Sequence, residues 1–286
     1  MRKILILAML LLPTAAFAVE PGTEAMPFLR LDFSPASLAM GASGPKTAAT
    51  LPFSQSEFSA GASYLRFAPE LSPVTYISGG AAGKYEEFGF SLDFTRGAGE
   101  KIYGTDDIPT DLVVKGGVGF TFNENYSAGV NLGYAQQSIM ANYKTSSYVA
   151  DFFAAAHFDG LVAWAGFSTL GSSVGSEKTG EFPLPSSITV GGSLTAVQTE
   201  HHLLRMNLAG DYYFSGTIAL SAGAEYAFAQ HAFLRAGYRY GGDSVVPSFA
   251  SAGLGLRFCG VELNAAYLFA SYVLGKSLAI GLVFTM

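Results

Sequence analysis

From about residue 57 to the last residue, apolar and polar positions alternate in short segments separated by turn residues. Phe88, Phe90, Leu92 and Phe94 alternate with Glu87, Gly89, Ser91, Asp93 and Thr95. Leu220, Ala222, Ala224, Tyr226 and Phe228 oppose Ser221, Gly223 and Glu225. Leu234, Ala236, Tyr238 and Tyr240 oppose Arg235, Gly237 and Arg239, and Leu254, Leu256 and Phe258 oppose Gly255 and Arg257. The period is two, which a strand produces and a helix cannot. The pattern predicts fourteen strands, at 57–67, 74–84, 87–96, 113–122, 126–138, 148–158, 161–170, 187–197, 201–213, 217–228, 232–240, 249–258, 261–272 and 276–285. Most have the roughly 9–11 residues that a tilted membrane strand needs.

The connections sort by length. If 68–73 is extracellular, the turns near 85–86, 123–125, 159–160, 198–200, 229–231 and 259–260 all face the periplasm and all are short. The longer connections 97–112, 139–147, 171–186 and 241–248 all fall on the other side. An outer-membrane barrel sorts its loops in this way, and a soluble sandwich has no reason to. The fold expected is therefore all-β, an antiparallel 14-stranded transmembrane β-barrel.

The first residues change the picture in the same direction. Arg2 and Lys3 precede an apolar stretch from Ile4 to Leu12, and Ala16-Phe17-Ala18 is a small-x-small cleavage site. Residues 1–18 read as a signal peptide with Val19 as the mature start. Residues 19–56 lack clean alternation and are expected to form an N-terminal plug or periplasmic segment, with a short helical turn at Ala36–Ala42. Residues 57–286 form the barrel.

Composition agrees. Charged residues are 13 % of the chain, about half the globular norm, against 23 Phe, 15 Tyr and 34 Gly. After the leader no apolar run reaches helix-spanning length, and only a closed barrel then satisfies the backbone in lipid. Many inward positions are glycine, which leaves room inside the wall. Formal charge is −6, or −8 once Arg2 and Lys3 are removed, and there is no basic patch for nucleic acid. The single cysteine, Cys259, sits at a predicted turn, and nothing calls for a cofactor or a metal.

Chemistry-bearing residues gather late in the chain. Glu225 and Arg235 face each other across the hairpin around Gln230, and Arg205, Asp211, Arg239, Arg257 and Glu262 lie on the same inner face of nearby strands. Such a lumen polar cluster either braces the wall by salt bridges or coordinates an anionic solute or a partner's polar segment. An enzyme is not expected. Asp151 and His157 share a face, but no serine accompanies them and no G-x-S-x-G occurs. His201 and His202 point to opposite faces. The acidic loop 97–112, with Glu100, Asp106, Asp107 and Asp111, lacks the spacing of a calcium loop. Pro183 and Pro185 stiffen loop 171–186, which also carries Glu177 and Lys178.

The N-terminal segment carries a family likeness. Phe28-Leu29-Arg30-Leu31 leads into Ser34-Pro35-Ala36-Ser37-Leu38-Ala39-Met40-Gly41-Ala42, with Phe28, Leu29, Pro35, Met40 and Gly41 as its plug motif. This resembles the start of the PorV/PorQ family in the FadL-like group, although Ser37 stands where that family carries arginine. The resemblance implies a plugged barrel that binds protein partners in type IX secretion or surface assembly in Bacteroidota: translocon, secreted cargo or surface proteins. The alternative is a FadL-like channel for uptake of hydrophobic or small solutes, with fatty acid as one ligand and a kink in the wall near Gly116, Gly117, Gly191 or Gly192. Either way the wall meets outer-membrane lipid.

Overall fold

The computed structural model describes residues 24–45, 48–54, 56–67, 73–140, 143–176, 180–241, 248–270 and 276–286. The expected leader at 1–18, the pair Glu177 and Lys178, and residues 271–272 of the thirteenth predicted strand lie outside them. Among the described residues no helix is long and apolar enough to cross a membrane.

Fourteen strands close an antiparallel barrel. They are β1 (Phe58–Phe67), β2 (Val74–Tyr85), β3 (Phe88–Ala98), β4 (Thr110–Asn123), β5 (Tyr126–Met140), β6 (Tyr143–Phe158) and β7 (Leu161–Gly171), then β10 (Ser187–Gln198), β11 (His202–Tyr213), β12 (Ile218–Phe228), β13 (Ala232–Gly241), β14 (Phe249–Phe258), β15 (Val261–Ala270) and β16 (Lys276–Thr285). Between β7 and β10 a small separate hairpin joins β8 (Val174–Ser176) to β9 (Gly180–Phe182). Closure is by β1 on β16, from Ser59 opposite Thr285 to Arg66 opposite Leu278. The chain is an all-β outer-membrane barrel, and its wall strands fall where the alternation places them.

The outward face is apolar to a degree that water would not tolerate. Leu92, Leu208 and Leu254 are each at least 60 % exposed, and most outward neighbours are also large and apolar. Two aromatic girdles bound this surface, as lipid interfaces require. The periplasmic girdle is rich in phenylalanine, with Phe88 and Phe120 packed at 5.0 Å. The extracellular girdle carries tyrosines, including Tyr134 on Tyr148 at 5.9 Å.

Two expected loops differ. The stretch 139–147 is almost entirely strand: β5 and β6 run 15 and 16 residues and pair up to Met140 opposite Tyr143. The polar run Lys144 to Ser147 hides this part of the strand from a hydrophobic reading, because a hairpin standing beyond the bilayer needs only its backbone ladder. The expected loop 171–186 contains the β8–β9 hairpin. No kink occurs at the four glycines named above, where pairing runs without a register shift. The wall is irregular instead between Ala150 and Phe152 of β6, opposite Thr169 of β7, which has φ 58°.

The plugged lumen as candidate functional site

Residues 24–45 and 48–54 lie in the lumen, the first at its extracellular mouth and the last at its periplasmic end. At the top, the Ala25 N–H donates to the Pro183 carbonyl at 2.9 Å, which ties the segment to the connection after β9. Met26 is fully buried with a left-handed backbone, φ 53°. A 3₁₀ turn at Pro27–Arg30 then buries Phe28. Met26 and Phe28 belong to an apolar cluster with Leu65, Val149, Leu184 and Phe249. Leu29 packs against its edge. Arg30 pairs with Glu24 and lies over the Tyr213 ring at 4.2 Å.

A five-residue helix, α1 (Pro35–Ala39), follows at mid-height. Pro35 sits at its start, where a missing N–H costs nothing, and the Ser34 side chain accepts from the Ser37 N–H at 3.4 Å. Beyond it the backbone is clasped to the wall. The Ser251 hydroxyl donates to the Ala39 carbonyl at 3.0 Å and accepts from the Gly41 N–H at 3.1 Å. Gly41 has φ 70°, and a Cβ there would stand 2.7 Å from the Tyr238 carbonyl oxygen. A Cβ on Gly237 would stand 2.2 Å from backbone atoms of both Met40 and Gly41. The small residues of this stretch are thus set by a close approach of two backbones.

At the periplasmic end a 3₁₀ turn, Ala48–Phe53, fills the space against the other half of the wall. Ala49 and Phe53 pack with Phe153, Ala155 and Trp164. Ser127 donates to the Ala49 carbonyl, and Phe53 stacks on His157 at 5.1 Å.

The charged residues named from the sequence lie in two networks, separated by the layer where Met40 and Gly41 meet Gly237. Below it, Arg235 donates to Glu225 at 2.7 Å, to Glu262 at 3.0 Å and also to Asn264. Arg205 flanks Glu225 at 3.3 Å, and Arg257 donates to Glu262 at 2.9 Å. The Arg235 side chain is 4 % exposed, whereas those of Arg205 and Arg257 are 42 % and 37 % exposed. Above the layer, Arg239 donates to Asp211 at 2.8 Å, Ser221 at 2.9 Å and the Tyr213 hydroxyl at 3.2 Å. All the carboxylates of both networks are paired.

A third group was not picked out from the sequence. Asp151 accepts from Lys115 at 2.9 Å, from Asn131 at 3.2 Å and from the Thr169 N–H at 2.7 Å. It holds the irregular β6–β7 seam. Inward alternation of Lys115, Asn131 and Asp151 was the available signal. His157 stacks on the plug and has no nucleophile beside it. Asp111, expected in a solvated loop, accepts from Tyr76 at 3.0 Å and Gln137 at 2.9 Å. Lys101 pairs with Asp106 on the surface. Among the described residues no group of His, Cys, Asp or Glu could hold a metal ion.

No family model matches the chain, and no curated protein matches it. Solved structures do. The CymD monoaromatic hydrocarbon channel superposes with a TM-score of 0.60 at 13 % identity, over 89 % of this chain and 97 % of that one. The Ralstonia pickettii toluene transporter TbuX gives 0.60 at 11 % identity, and the P. putida toluene transporter TodX 0.60 at 12 %, each over 89 % of this chain and 98 % of the other. These matches overturn the PorV/PorQ resemblance and, with it, the type IX secretion role and its protein partners. That likeness rested on the Ser34–Ala42 element. Packing explains its small residues without a shared family, because any segment laid this close to a barrel wall needs them. At such identities the solved structures establish the fold: a closed outer-membrane barrel.

Proposed function

We propose that the chain is a non-enzymatic, plug-gated channel through which small hydrophobic solutes cross the outer membrane passively. The observation that carries this reading is the apolar seat in the extracellular half of the lumen, which the chain's own Met26 and Phe28 occupy. A solute entering from outside competes with these two side chains for the same surface. Displacing each costs roughly 1.5–3 kcal/mol of lost burial, and a small apolar solute that takes the same seat recovers much of it. The shared fold with channels named for toluene and other monoaromatic hydrocarbons supports a solute of that size.

On this reading residues 1–18 direct export, residues 19–56 form the gate and residues 57–286 the wall. The lumen polar cluster braces the wall, since its carboxylates are satisfied by its own arginines. It does not present the free cations that an anionic solute would need on its path. The seam at Thr169 and Asp151 is the place where the wall would part for sideways release into lipid.

Uptake of radiolabelled toluene by cells expressing the chain, in a host without hydrocarbon channels of its own, tests the reading. Uptake is expected to rise above that of empty cells, and Val149→Trp, which fills the seat from the wall, is expected to lower it. Uptake no faster than in empty cells would sink it. So would equally fast entry of a monosaccharide.

A further inference from the structure

The ionised side chains that face outward from the wall follow a rule. Among the described strands there are four: Arg66, Arg96, Lys144 and Lys276, all exposed. All are cations, and all lie at the extracellular end. Every acidic residue of the wall strands points inward. Three of the four share one patch. Arg66 of β1 pairs with Leu278 of β16 on one side and Thr75 of β2 on the other. Arg96 of β3 pairs with Ile77 of β2, one side-chain step below Thr75. Lys276 lies one step above Leu278, opposite Phe269 of β15. From strand spacing, Arg66 and Arg96 are about 10 Å apart across the sheet and about 7 Å along it, and Lys276 is closer to Arg66 than that. Long cationic side chains reach across such gaps. Among the described residues none of the three takes part in an ion pair.

The surface beside and below them is apolar: Leu278 level with Arg66, Ile280, Tyr64 and Ile77 level with Arg96, and Phe94 further down, flanked by Tyr267 packed on Phe269 at 4.7 Å. Cations set above an apolar field match an amphiphile whose anionic groups sit above its acyl chains. A free anion would gain nothing from the lower half of the patch. A zwitterionic phospholipid would carry an ammonium group into a cluster of three cations.

We propose that Arg66, Arg96 and Lys276, with the apolar field beneath them, form a binding site for the phosphorylated glycolipid of the outer leaflet. The arginines take its phosphates, with Lys276 as a third charge, and the acyl chains lie along β16 to β3. The site is on the outside of the wall and does not depend on what crosses the lumen.

The test uses the full mature chain in mild detergent, titrated with diphosphoryl lipid A and followed by native mass spectrometry. The triple variant R66Q/R96Q/K276Q is expected to bind about a hundredfold more weakly, at about fivefold for each cation removed near a charged membrane surface. R66K/R96K is expected to retain most of the affinity. K144Q, three strands away from β3, is expected to leave it unchanged. Phosphatidylethanolamine is expected to bind the triple variant no more weakly than the wild type. Resistance of the barrel to unfolding by SDS at room temperature checks that each variant is folded. Undiminished lipid A binding by the folded triple variant would overturn the proposal. Competition by inorganic phosphate at concentrations equal to those of the lipid would also overturn it, since the patch would then be a general anion surface.

Discussion

Replacing Gly237 with valine tests the clasp that seats the plug while leaving the wall intact. Valine suits a strand better than glycine does, so β13 itself has no reason to weaken. The new Cβ, however, would lie 2.2 Å from the Gly41 nitrogen and the Met40 carbonyl carbon. These are backbone atoms, and they yield only if the whole turn after α1 moves away. Overpacking of this kind costs about 1–3 kcal/mol. Moving the turn also breaks the two hydrogen bonds through Ser251, from the Gly41 N–H and to the Ala39 carbonyl. Each contributes about 1 kcal/mol net, so the seated state loses roughly 3–5 kcal/mol in all. Such a change moves the balance between seated and unseated plug by a factor of about a hundred to a few thousand. Single-channel recording in planar bilayers is the assay. The wild type is expected to be mostly closed and Gly237→Val to show long openings. Gly192→Val is the control, since the nearest atom to its new Cβ is 3.6 Å away on the lipid side. Equal conductance of Gly237→Val and wild type, with the barrel folded, would refute the claim that this clasp holds the gate.

Glu225→Ala leaves the buried Arg235 with one carboxylate partner in place of two and frees Arg205 into the lumen. Breaking a buried pair costs about 3–5 kcal/mol, which should appear as a lower urea midpoint for unfolding from vesicles. An unchanged midpoint would mean that the network does not brace the wall. Leu254→Arg, at mid-height on the lipid face, should cost about 2–4 kcal/mol in the same titration, whereas Leu254→Phe should cost little. A tolerated arginine there would place the bilayer elsewhere on the wall.

The wall was legible because lipid imposes a period of two on it. Phe88 to Phe94 and Leu234 to Tyr240 announce their faces residue by residue. The register of Glu225 on Arg235 follows from counting back from the turn at 229–231. Where lipid stops, legibility stops: Ser138 pairs with Lys144 and Met140 with Tyr143, yet Lys144 to Ser147 is an unbroken polar run with no alternation to mark it. The path of residues 24–54 was not readable either, since a segment surrounded by protein on all sides has no single wet face to write a period. The nine residues of its small-residue element suggested a family when they report a clearance. The left-handed Thr169 carries no mark in the sequence at all, because threonine does not advertise that conformation.

The bond from Gly41 to Ser251 joins residues 210 positions apart. This span has a consequence for how the chain is made. The clasp needs β12, β13 and β14, so it cannot form until most of the polypeptide has been delivered across the inner membrane. Residues 24–54 leave the ribosome early and must wait for their walls. Their apolar members, Met26, Phe28 and Leu38 among them, have no local partners in the meantime and depend on a periplasmic holding factor to stay out of aggregates. The segment is anchored to β1 at the periplasmic rim, so it has to be threaded upward into the ring before or during the β1–β16 closure. Biogenesis is therefore expected to be slowed by anything that lets this segment collapse first.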